Sequence, residues 1–204
     1  MIQENQSEPV IKAEVRAYLE IMMMLTLTNS AVHNSDIENL GITIARDAKM
    51  QDLGSRQIIN VLIEALEAIQ RQGTDCRIIE VAKALKDKNY RIDAIGMAIA
   101  IAAFDGKIAP QQRTILEKLQ RALNLTEDNV EEAIRRYGNI PLLMYITRNT
   151  LKGSSDVLSS LWKQGFGHDP QRTQELTSYL LYLVEQGHIP FQQKGFTPTS
   201  VKLH

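Results

Sequence analysis

Glu185 and His188 stand three residues apart, the Glu-x-x-His spacing with which helical bundles ligate a di-iron centre. Such a centre needs two motifs of this form and two further glutamates. None of His33, His168 and His204 has a glutamate three positions earlier. Gly187 and Pro190 place His188 at the end of a helix, where a histidine suits the free carbonyls. Cys76 is the one cysteine. It falls early in an expected helix, a position that can lower a thiol pKa and make a nucleophile, yet no histidine lies near it in sequence. The four histidines lack zinc spacing, and neither a phosphate loop nor a dinucleotide-binding glycine fingerprint occurs. These residues make Cys76, or Glu185 with His188, the handles of any enzyme reading. No catalytic constellation is expected.

Composition narrows the classes further. The 204 residues carry 23 basic and 24 acidic side chains, a formal charge of −1, so no electrostatic footprint for nucleic acid is expected. Apolar residues make up 44%, enough for a buried core. A single cysteine excludes an internal disulfide. The polar start MIQENQSEPV is unlike a signal peptide, and the longest apolar run, Ala94 to Phe104, is well short of the roughly 20 residues of a membrane span. A cytoplasmic location without a transmembrane segment is the expectation.

The elements that must position any site are helices. Apolar residues recur at three- and four-residue spacing, predicting helices at 9–28, 35–50, 55–71, 75–87, 90–104, 110–123, 127–137, 140–151, 155–164 and 170–186. Ser35 with Glu38 has capping-box spacing, Thr126 precedes two acids, and Pro110 and Pro170 suit a first helical turn. Helix 90–104 is apolar on all sides from Ala94 onward and rich in small residues, so it belongs in the middle of a bundle. Met22, Met23 and Met24 cover too much of a helix surface to be buried together unless that helix is central; they pack the core or offer an adaptable surface. Trp162, Phe166, Phe191, Phe196, Tyr179 and Tyr182 enrich the C-terminal third in aromatics, to pack it onto the core or to face a partner. Residues 9–151 form the expected helical domain, 152–188 a helical appendage and 189–204 a tail.

Residues 94–134 combine a small-residue helix ending in Asp105-Gly106-Lys107-Ile108, a helix carrying Ile115, Leu116 and Leu119, and the turn Leu123-Asn124-Leu125-Thr126. This combination resembles the TerB-like (tellurite-resistance-type) helical domain family. Such domains carry two copies of one unit, and an echo is present: residues 28–36 align with 104–112 at an offset of 76, placing Asn29 on Asp105, Val32 on Ile108, Asp36 on Gln112 and Leu40 on Leu116. The resemblance spans about residues 13–137. It implies an all-α bundle of two related halves, here with extra C-terminal helices. It also implies a non-enzymatic stress-response scaffold or interaction module whose partner is another protein, a second copy of the chain among the options.

The resemblance further implies a divalent-cation site in the two turns, where an acid is normally followed seven residues later by a glutamate. Here each turn keeps one acid of two: Asn29 with Asp36, and Asp105 with Gln112. Two carboxylates and two amides could form a weak oxygen site for calcium or magnesium, which makes a metal-responsive sensor the alternative function. The structural alternative is that Asn29 and Asp105 end helices and Asp36 favours a helix N-terminus. No other cofactor is expected.

Overall fold

The computed structural model describes residues 11–28, 32, 34–103, 108–137, 175–176, 178–182 and 186, the side chains of Asn34, Ser35, Glu38 and Arg46 apart. The described residues are helical, with no strand among them. The helices are α1 (Ala13–Leu27), α2 (Asn34–Arg46), α3 (Ser55–Gln72), α4 (Thr74–Ala84), α5 (Lys88–Ala102), α6 (Pro110–Ala122) and α7 (Glu127–Tyr137), with one 3-10 turn at Ala48–Met50. The all-α expectation holds.

Helix ends follow local hydrogen bonding. Predicted helix 35–50 splits because the Asp47 carboxylate accepts from the Lys49 amide at 2.9 Å and starts a new turn. Predicted helix 75–87 stops at Ala84, and the carbonyl of Leu85, just past its end, accepts from Arg91 Nε at 2.6 Å. The next helix starts before residue 90, at Lys88, because Asp87 caps the Asn89 amide at 2.7 Å. Ser55 opens α3 as its first residue; Gly54 is the N-cap, its amide bonded to Gln57 Oε1 at 3.0 Å. Pro110 opens α6 as expected. Gly73, at φ 78, separates α3 from α4, and Asn124, at φ 52, lies between α6 and α7; glycine and asparagine tolerate this left-handed region best. The predicted helices 140–151 and 155–164, most of 170–186 and the tail 189–204 lie outside the described residues, as do Trp162, Phe166, Phe191, Phe196 and the caps at Pro170.

Two helices hold the middle. α1 packs against α2, α3, α4 and α5, and α5 against α1, α2, α6 and α7. This resolves the methionine run: Met22, Met23 and Met24 are all buried, because α1 has neighbours on every side. α5 is buried from Ile92 to Ala102 with Ile99 only partly covered, as its all-round apolar sequence predicts. Gly96 permits the closest approach. A methyl group built there would overlap the Tyr137 ring of α7, so the missing side chain is what lets that ring lie on α5.

The internal echo has a structural counterpart. α1 and α5 are each 15 residues long, and α2 and α6 each 13. α1 and α5 begin at Ala13 and Lys88, numbers 75 apart; α2 and α6 begin at Asn34 and Pro110, 76 apart. The matched lengths and the near-constant offset are what the sequence echo leads one to expect of α1 with α5 and of α2 with α6. Leu176 and Leu180 join the same core, and Ser55 Oγ bonds Glu175 Oε2 at 3.0 Å.

Candidate functional site

Two polar assemblies and a groove stand out among the described residues. The first centres on Asp93, a carboxylate buried on α5. Its Oδ2 accepts from Lys49 Nζ at 2.7 Å and its Oδ1 from Arg136 Nη1 at 3.1 Å, tying α5 to the 3-10 turn and to α7. Arg136 also donates from Nε to Glu132 Oε1 at 2.9 Å, which fixes its direction. Lys49 Nζ lies 5.5 Å from the centre of the Tyr18 ring, a cation–π contact. Tyr18 meets Tyr90 edge-to-face at 6.5 Å between ring centres.

Burial raises the pKa of Tyr18 and Tyr137 well above the ordinary tyrosine value, and the Asp93 charge adds to both shifts. Burial likewise raises Asp47, against the opposing hydrogen bond from the Lys49 amide and the Lys49 charge. The Tyr18 hydroxyl is the exception to an otherwise satisfied cluster: it is fully buried and has no hydrogen-bond partner among the described residues. Such a group costs on the order of 1–3 kcal/mol.

The second assembly joins α1 to α4. Arg77 donates from Nε to Glu20 Oε1 at 2.5 Å and from Nη2 to Glu20 Oε2 at 2.9 Å, a two-pronged pair. The hydrogen bond to Glu20 raises the Arg77 pKa. Arg77 Nη1 also reaches Gln72 Oε1 at 3.0 Å, across the Gly73 break.

Beside this pair runs the groove, a cavity of about 320 Å³ walled by α1, α3 and α4. Ala13, Ala17, Ala65, Ala68 and Ala84 line it, with Val61 and Val81. Its rim is charged: Arg16 and Glu20 from α1, Glu64 from α3, Arg77 and Glu80 from α4. Arg16 pairs with Glu64 across the groove wall, and both side chains are about half exposed, at 47% and 58%.

The residues expected from sequence to hold a cation are only partly described. Asn29 and Asp105 lie outside the described residues. Asp36 is half-buried in the first turn of α2. Gln112 is buried, and its Oε1 accepts from the Ala109 amide at 3.1 Å, closing the start of α6 as Gln57 does for α3. Its amide oxygen therefore has a structural task in this arrangement. Cys76 is exposed in the first turn of α4. Glu185 and His188 lie outside the described residues.

Sequence reasoning missed Asp93, Glu20, Lys49, Arg136 and Tyr18. The cross-helix ion-pair partners of the four charged residues lie 43 to 57 positions away, and Tyr18 meets Lys49 and Tyr90 from remote stretches, so no local spacing announces them. The available signal was a charge inside an apolar helical run: Glu20 in Tyr18-Leu-Glu-Ile-Met, and Asp93 in Ile92-Asp-Ala-Ile. A charge seated there needs a partner from another element.

No family model, no curated protein and no solved structure matches the chain. Nor is any helix among the described residues long and apolar enough to cross a membrane.

Proposed function

We propose that this chain is a non-enzymatic TerB-like interaction module which receives an amphipathic helix of another protein in the groove between α1, α3 and α4. The observation that carries this reading is the groove itself: an alanine-lined floor between three helices, flanked by charges of both signs. Small floor side chains leave room for the larger apolar residues of an incoming helix, the helix-in-groove mode of recognition. The rim charges offer complementary partners on both sides. The half-exposed Arg16–Glu64 pair contributes little to stability where it stands, so both ends can re-pair across an interface at small cost.

The buried charges support the same reading from the other side. Glu20 with Arg77 joins α1 to α4, two of the groove's three walls, and Asp93 with Lys49 and Arg136 ties together elements beyond them. The matched lengths and spacing of α1 with α5 and α2 with α6, and the sequence of residues 94–134, are what favour the TerB-like family in this reading, and with it a role in tellurite-related or other stress responses in the cytoplasm.

The test is a quantitative pull-down from the source cell with the native chain, Ala68→Arg and Ala68→Ser as baits. Ala68 is half-buried on the groove floor, so arginine fills the groove while its charge reaches solvent. A partner held by the native chain and by Ala68→Ser, and lost by a folded Ala68→Arg, supports the reading. Equal recovery by all three places the interface elsewhere.

A further inference from the structure

α7 buries little of its own surface. Of its 11 residues only Ala133 is buried, whereas α1 buries most of its length. Its substantial packing is against α5. Ile134, a large apolar residue, faces outward at 47% exposure. α7 lies close against α5 around Ala133, and its C-terminal end is fastened by a latch: Arg136 on Asp93, and the Tyr137 ring over Gly96. Elements with few buried apolar contacts open at lower free energy than the core.

Release of the latch would strip Asp93 of Arg136 and leave a buried carboxylate short of donors. One buried donor beside Lys49 is unused. Tyr18 is fully buried on the neighbouring α1, carries an unpartnered hydroxyl, and sits under the same Lys49 ammonium that bonds Asp93. We propose that α7 is a strap with two arrangements, and that the Tyr18 hydroxyl is the standby donor to Asp93 when Arg136 leaves it and the Tyr137 ring leaves Gly96. In the closed arrangement Arg136 is bonded and Tyr18 is not; in the open one the donors exchange. The orphan hydroxyl penalises the closed state and the standby bond stabilises the open one, so the two lie closer in energy than the buried carboxylate alone would allow. This is a bistable element of the hinge type, independent of what the groove binds.

The test uses the full chain and a double-mutant cycle of Tyr18→Phe with Arg136→Gln, read by thermal midpoint and by amide hydrogen exchange. Arg136 is on the surface side of the latch, at 37% exposure, so Arg136→Gln is expected to fold. In it, exchange of amides 127–137 is expected to rise at least tenfold, with α1 and α5 unchanged. Tyr18→Phe is expected to keep or raise the midpoint in the native background, because it removes an orphan. In the Arg136→Gln background it is expected to lower the midpoint and slow α7 exchange again, because it removes the bond that replaced Arg136. An effect of Tyr18→Phe with the same sign and size in both backgrounds overturns the standby donor, since independent sites add. Exchange of 127–137 as slow as that of α1 overturns the strap. Should Arg136→Gln fail to fold, Arg136→Lys keeps the charge, lacks the separate nitrogens with which the guanidinium holds Glu132 and Asp93 together, and gives the same two readouts.

Discussion

Asp93 ties three elements together, since one buried carboxylate joins α5, the 3-10 turn and α7. Replacing it with asparagine keeps the shape and removes the charge, leaving Lys49 and Arg136 facing a neutral group. Both cations are about a third exposed, which tempers the loss. Asp93→Asn is expected to destabilise by about 1–3 kcal/mol, the range for a lost hydrogen-bonded charge, measured by chemical denaturation. The tyrosines give a second residue-level expectation. Tyr18 and Tyr137 are held above the ordinary tyrosine pKa of 10.0 in the folded chain, so the folded state keeps protons that the unfolded state releases. Stability from this source is full below pH 10.0 and falls as pH rises beyond it. Absorbance titration should therefore show two tyrosines resisting ionisation until the chain unfolds, and Tyr18→Phe should soften the alkaline loss of stability. None of this was legible in the sequence beyond the oddity of a charge inside an apolar run. A side chain's partner 43 or 57 positions away is set by how helices cross, and spacing along one helix carries no trace of it.

Elements were far more legible, because the 3.6-residue period and the caps act locally. The small-residue composition of α5 foretold its central place, and Gly96 shows the reason for that composition at one position. Gly96→Ala is expected to force the Tyr137 ring aside and cost about 1–3 kcal/mol, as overpacking does. The double variant Gly96→Ala with Tyr137→Ala should recover part of the cycle's interaction energy. Ala100 is buried on the same helix, and Ala100→Leu should cost a similar amount, about 1–3 kcal/mol, read as a lower denaturation midpoint. The boundaries that differed from expectation did so where short side chains intervened: Asp47 restarted the chain after α2, and Asp87 advanced the start of α5. The burial of three consecutive methionines could not be decided on α1 alone, because it depends on how many helices surround it.

At the scale of the whole bundle, α1 and α5 hold the middle and the other helices pack around them. Sequence identity between the halves is slight, yet α1 and α5 match in length, as do α2 and α6, and the central pair packs face to face. The groove is a property of three helices at once and left no mark in the sequence except a scatter of alanines on α1, α3 and α4. Placing a photo-crosslinking amino acid at position 68, on the groove floor, and at Glu131, exposed on α7, tests the central claim most directly in the source cell. The account predicts one discrete crosslinked protein from position 68, through a peptide with helical apolar periodicity, and none of it from position 131. The same species from both positions, or from position 131 alone, would contradict a partner helix seated between α1, α3 and α4.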